Sequence, residues 1–247
     1  SLYLHIPFCR KKCLYCDFRS MEYESKIAGD YIDILCRQIA DLEGKFSSIY
    51  IGGGTPSVLG ADLLAKLLNA LKRLVDPGIE FTVEANPESL KEDILDVLKI
   101  NGVNRLSIGV QSLNNNKLKS LGRIHDAQTA RQAVALAKKK GLENISIDLI
   151  FGLWDEDLED WKQDLKEAVS LPVKHISAYG LTYEKETPLF KAKENGEIKP
   201  LDNEPAARMY EYAMEYLEGE CFKQYEVSNF SQDRFSCRHN LNYSENN

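Results

Sequence analysis

Six short runs rich in β-branched residues recur along this chain, separated by stretches long enough for a helix. They are "LYLHI" (2–6), "SIYIGG" (48–53), "IEFTVEA" (79–85), "RLSIGV" (105–110), "ISIDLIFG" (145–152) and "HISAYGL" (175–181). Helical periodicity fills 24–43, 61–75, 89–101, 126–140, 157–169 and 203–219. A parallel neighbour is reached only through a crossover, so this alternation predicts an α/β fold built on a parallel sheet. The runs read as near-continuous apolar segments, the pattern of strands covered on both faces. Six βα units are too few for a closed eight-fold barrel, so a partial (β/α)6, TIM-like barrel is expected. Asp62, Asp93 and Asp126 fall in or just before first turns, and Gly102 and Gly141 stand just past helix ends. The barrel is expected to occupy 1–227. From 228 the tail "SNFSQDRFSCRHNLNYSENN" turns polar and loses its period, as a loop or the start of a further segment does.

Charge and apolar content exclude several classes. A net charge of −7 argues against a nucleic-acid or anionic-membrane binder, both of which need a basic footprint. "AKKKG" (137–141) reads as a lysine-rich helix C-terminus answering the helix dipole. The longest apolar runs fall short of a membrane span, and "SLYLHIPF" has neither the basic nor the cleavage region of a signal peptide. Six cysteines in 247 residues are too sparse for a secreted disulfide scaffold, which points to a reducing cytoplasm. Cys36 sits in a helical pattern, as a small buried apolar residue would.

In parallel βα folds chemistry gathers at the strands' C-terminal ends. After the first run come Cys9, Cys13 and Cys16, three thiols in eight residues. A structural zinc site is closed by four ligands, usually from separated knuckles. Here there is no second knuckle, and His5, a conceivable fourth ligand, belongs to the strand. Three thiolates also suit three irons of a 4Fe-4S cluster, whose fourth iron is then open to a substrate or cofactor. Spacing leaves both readings standing.

"GGGTPS" (52–57) follows the second run. It is neither a Walker loop nor a dinucleotide fingerprint. It reads as a tight βα turn or as a bare backbone edge that a small polar ligand approaches. Glu84, Gln111, Arg123 and Asp148 stand at or near further strand ends. Such groups suit a ligand bearing an amino group, a carboxylate and a ribose, as S-adenosylmethionine does.

With these residues in view, "CxxxCxxC" at the end of a first strand resembles the signature of radical S-adenosylmethionine (SAM) enzymes. The stretches "YLHIPFCRKKCLYCDF", "GGGTPS", "GVQS", "GRIH" and "IDLIFGL" resemble the branch of oxygen-independent coproporphyrinogen III oxidases and HemW-type heme chaperones. The resemblance runs from residue 2 to about 243 and implies a partial barrel of the radical SAM type. It implies Cys9, Cys13 and Cys16 as cluster ligands, with Tyr3 and Tyr15 beside the cofactor. It also implies that Gly53, Gly54 and Thr55 meet the methionine moiety. Glu84, Gln111, Arg123 and Asp148 would hold the rest of the SAM molecule, and Gly180 the far end of the pocket.

The oxidase pattern has a further cysteine where this chain has Phe18, and an N-terminal extension before the first strand; the "CDF" seen here resembles the chaperone branch. "CRHNLNY" (237–243) resembles that branch's heme-linked motif and makes His239 a candidate heme contact, although the motif's tryptophan is Ser244 here. The resemblance thus implies a heme chaperone with heme or porphyrin, a recipient hemoprotein and an electron donor as partners. It implies a small helical C-terminal domain as well, which the 228–247 segment does not contain. Radical decarboxylation of coproporphyrinogen III and a zinc-stapled binding domain remain the alternatives.

Overall fold

The computed structural model describes residues 1–245, with side chains described to residue 242. Six parallel strands lie in chain order across one sheet: β1 (Leu2–Ile6), β2 (Ser48–Gly53), β3 (Glu80–Ala85), β4 (Arg105–Gln111), β5 (Asn144–Phe151) and β6 (His175–Gly180). Their register pairs Tyr3 with Tyr50, Tyr50 with Thr82, Thr82 with Arg105, and Arg105 with Asn144. All six runs are strands within one residue of their expected bounds. Beyond them an antiparallel pair, β7 (Lys223–Glu226) and β8 (Asn229–Ser231), extends the sheet, with β8 against β6. The polar stretch after 228, expected as a loop or the start of a further segment, thus contributes β8 to the main sheet. The sheet is open, its outer strands being β1 and β7. This is the partial α/β barrel anticipated from the alternation.

The helices are α1 (Ser25–Ala40), α2 (Gly60–Leu71), α3 (Glu92–Ile100), α4 (Asn115–Ser120), α5 (Ala127–Lys139), α6 (Leu158–Ser170), α7 (Pro188–Glu194), α8 (Asn203–Gly219) and α9 (Arg238–Glu245). The long ones match the periodic stretches. Asp126 caps α5 through the Thr129 N–H, and Gly102 and Gly141 end helices with φ of 84° and 82°. The short α4, α7 and α9 span too few turns to leave a period in the sequence. Among the described residues no helix is long and apolar enough to cross a membrane.

The core lies between one face of the sheet and the helices. Ile49, Ile51, Phe81, Val83, Leu106, Ile108, Ile145 and Ile147 meet the apolar faces of the helices there, as with Leu64, Leu67 and Leu68 of α2. The alternate residues behave differently. Ser48, Tyr50, Glu80, Thr82, Glu84, Arg105, Ser107, Ser146, Asp148, His175 and Ser177 share the opposite, concave face. The expectation of strands apolar on both faces is thus corrected: one face packs under helices, and the other lines a polar lumen.

The N-terminal end of that lumen carries α9. Glu80 Oε1 accepts from the N–H groups of Arg238 and His239 at 2.9 and 3.3 Å and from the Cys237 thiol at 3.5 Å. The His239 ring stacks on Tyr50 with centroids 4.6 Å apart, and on Tyr3 at 5.9 Å.

Candidate functional site

The cysteine loop hangs from β1 and is held on three sides. Phe8–Cys9 pairs in parallel with Met21–Glu22, closing the loop's base. Leu14 N–H donates to Leu121 O at 3.2 Å, and Leu189 N–H donates to Leu14 O at 2.9 Å, so the loop is clamped between α4 and α7. His5 supports it from beneath. Its Nε2–H donates to Arg19 O at 2.9 Å, leaving Nδ1 to accept from the Tyr3 hydroxyl at 3.2 Å. With both nitrogens engaged, His5 is a brace for the loop.

All six cysteines are free thiols, with Cys9, Cys13 and Cys16 half-buried. Each of these three receives one hydrogen-bond donor of a different kind. The Thr55 hydroxyl donates to Cys9 Sγ at 3.6 Å, the Arg123 guanidinium to Cys13 Sγ at 3.3 Å, and the Phe18 N–H to Cys16. Burial pushes the Cys16 thiol up, and the Cys13 and Cys9 sulfurs add to the shift. Burial disfavours the charge of Arg123, but Tyr15, Cys13 and Glu88 around it more than offset this. Arg123 therefore stays cationic against the thiols. The donor set fits a 4Fe-4S cluster: three thiols share one loop, each with a donor that stabilises its thiolate. Among the described residues no three His, Cys, Asp or Glu side chains converge on a point that a single metal ion would occupy.

Most of the other sequence-predicted residues gather at the same end of the sheet. Tyr15 is largely buried beside Arg123 and packs on Leu121, Ile150 and Leu153. Gln111 ends β4 at a bulge with φ of 67°, a strained conformation for a residue with a Cβ. Deeper in the lumen, Glu84 accepts from the Tyr50 hydroxyl at 2.7 Å and from the Gly53 N–H at 3.0 Å. Burial pushes the Glu84 carboxyl up to about 7, and Asp148, half-buried two strands away, is raised by the same cause. Ser107 donates to Asp148 at 3.5 Å.

The glycine turn differs from its bare-edge reading. Gly54 N–H donates to Ile6 O at 2.8 Å and Thr55 N–H to Phe8 O at 2.7 Å, while Gly53 N–H is held by Glu84. All three N–H groups are used within the protein, which suits a ligand that brings donors of its own, such as an ammonium. A Cβ on Gly54 would lie 2.6 Å from Phe8 O, so this glycine admits the strand that carries the cysteines.

Three predicted residues lie apart from the thiols. Gly180 ends β6 beside Phe151. Tyr3 and His239 belong to the aromatic stack at the N-terminal half of the lumen. The residues missed in the sequence are those that connect the site. Tyr50 holds Glu84; Asn86 joins Thr55 to Arg123; Lys117 ties α4 to Glu156 and to Asp164 on α6. Tyr50 sits inside the run "SIYIGG" and Asn86 directly follows the run "IEFTVEA", whereas Lys117 left no mark that separates it from a surface lysine.

An open parallel α/β barrel with three cysteines after its first strand is the architecture of one superfamily. Residues 3–168 match the radical SAM superfamily, and the chain belongs to it. Membership implies a 4Fe-4S cluster and SAM as cofactors. The chain is 40% identical over 249 residues to the heme chaperone HemW of Lactococcus lactis subsp. lactis (strain IL1403), covering all of this chain and 66% of that protein. It is 37% identical over 254 residues to the heme chaperone HemW of Bacillus subtilis (strain 168), covering all of this chain and 67% of that one. The chain thus spans about two thirds of the length of these relatives. Among solved structures it resembles coproporphyrinogen III oxidase (HemN) from Escherichia coli, a radical SAM enzyme, with a TM-score of 0.84 at 25% identity. That likeness covers 99% of this chain and 58% of the oxidase.

Proposed function

We propose that this chain is the radical SAM core of a heme chaperone, a protein that binds heme and delivers it to a recipient hemoprotein. The observation that carries this is the 37–40% identity to HemW proteins along the whole chain. It is joined to a thiol loop in which every cysteine already has a donor. Cys9, Cys13 and Cys16 hold the cluster. Glu84 and the Gly53–Gly54–Thr55 turn take the amino end of SAM. Arg123 and Gln111 face its carboxylate side, Asp148 the ribose and Gly180 the far end, with Tyr15 packed against the cluster. When bound, cluster and cofactor together supply one-electron cleavage of a carbon–sulfur bond. A reducing, cytoplasmic compartment is the reading that six cysteines without a disulfide framework support.

The experiment is heme titration of the full-length protein beside an assay of coproporphyrinogen III decarboxylation. Stoichiometric heme binding with no decarboxylation supports the proposal. Decarboxylation without heme binding overturns it in favour of the oxidase reading, which rests on the likeness to the Escherichia coli enzyme. Phe18 stands 64% exposed in place of the oxidase's further cysteine, and it weighs towards the chaperone.

A further inference from the structure

Glu84 carries the role read from the sequence at the end of β3, yet Asn86, two residues on, is the one joined to the thiol loop. Its Nδ2 donates to Thr55 Oγ1 at 3.0 Å, and its Oδ1 accepts from Arg123 Nη2 at 2.7 Å. The amide orientation is forced, because a guanidinium only donates and must face the oxygen. The Thr55 oxygen therefore accepts from Asn86, and its single proton is free to point at Cys9 Sγ, 3.6 Å away. Arg123, held by Asn86 and by Gly109 O at 2.8 Å, turns its other nitrogen to Cys13 Sγ at 3.3 Å. The surroundings are shaped for this amide. A Cβ on Gly109 would lie 2.9 Å from Asn86 Oδ1, and Asn86 N–H donates to Ser57 Oγ at 3.4 Å.

We propose that Asn86 is a positioning residue that aims one neutral and one cationic donor at two of the three cluster thiolates and so raises the cluster's reduction potential. This rests on the cluster reading above. One-electron reduction adds a negative charge to the cluster and its thiolates while no bond to the protein forms or breaks. Donors aimed at sulfur stabilise the reduced form more than the oxidised one. Arg123 contributes the larger share because it carries a full charge in a largely buried site.

The test uses the full-length protein, reconstituted anaerobically with iron and sulfide and titrated with dithionite in the absence of SAM. The electron paramagnetic resonance signal of the reduced cluster is followed. Asn86→Ala is expected to keep four irons per chain and to show a more negative midpoint than the wild type. Thr55→Val is expected to shift the same way by less. A residue that only supports the fold would lower the melting temperature and leave the midpoint alone. Four irons with an unchanged midpoint in Asn86→Ala therefore overturn the proposal. If Asn86→Ala fails to retain iron, Thr55→Val decides, and an unchanged midpoint there is equally fatal. A wild type that takes up no iron sinks the cluster reading as well, which separates the two failures.

Discussion

Tyr50 donates its hydroxyl proton to Glu84 Oε1 at 2.7 Å, so the carboxylate at the end of β3 is held by a residue of β2. That bond and the Gly53 N–H pull the carboxyl towards ionisation, but burial is the larger effect and leaves it at about 7. Below that pH Glu84 holds its proton and, in the site as proposed, could not pair with the ammonium of SAM. Proton linkage then makes binding to the reconstituted protein roughly tenfold weaker at pH 6 than at pH 8. Equilibrium binding across this range checks it, and Glu84→Gln should flatten the profile. The ligand-free fold shows the opposite sign. Between the ordinary carboxyl range and about pH 7 the folded chain binds more protons at Glu84 than the unfolded one, so this group's contribution to stability falls as pH rises.

Cys13→Ser should lose the iron and keep the barrel. The loop from Cys9 to Cys16 lies outside the main apolar core and touches only the small Leu121, Ile150, Leu153 cluster through Tyr15, and its clamp on Leu14 is made by backbone groups that the substitution leaves in place. The expected result is less than one iron per chain after reconstitution, with unchanged far-ultraviolet circular dichroism. A variant retaining four irons would show that Cys13 is no ligand.

Much of this architecture is legible in the sequence because the strands are short, apolar on one face and separated by strongly periodic helices. The lumen is not, since "IEFTVEA" shows the same letters whether Glu80, Thr82 and Glu84 face water, a ligand or another strand. The cysteine loop is legible because three thiols at that spacing have few uses. Its support is not, because Asn86, Tyr50 and Lys117 act through contacts 31 to 47 residues away along the chain. The glycine turn shows the limit most clearly. Glycines flag a close approach, but whether by a ligand or by β1 is decided only when Phe8 O lies 2.6 Å from where a Gly54 Cβ would be.

Lys117 joins two buried carboxylates away from the site. Its ammonium pairs with Glu156 and, at 2.7 Å, with Asp164, and all three side chains are at most 6% exposed. Asp164 also accepts from the Ser112 hydroxyl and the Leu113 N–H, and Glu156 from the N–H groups of Gly152 and Leu153. The lysine thus fastens α4, which carries the chain to Arg123, onto α6 and the loop after β5. Lys117→Met leaves two buried carboxylates facing each other and should cost about 3–5 kcal/mol. Urea unfolding at pH 7 measures this, and a loss below about 1 kcal/mol would mean that water reaches the carboxylates.

To ligate a heme iron, as the proposed function allows, His239 would have to give up its place in the lumen. In this structure its ring stacks on Tyr50 and Tyr3, its Nδ1 is buried without a hydrogen-bond partner, and burial lowers its pKa. A neutral imidazole with a free nitrogen is chemically ready to ligate, while the stack opposes release by about 0.5–1.5 kcal/mol. Ligation through His239 should therefore separate the ring from Tyr50 and reduce heme affinity by roughly two- to tenfold from that of an unstacked imidazole. In the full-length protein His239→Ala should remove the spectrum of a histidine-ligated heme and leave iron–sulfur absorbance intact. If the heme spectrum of His239→Ala matches the wild type, His239 serves the barrel floor alone and the axial ligand lies elsewhere.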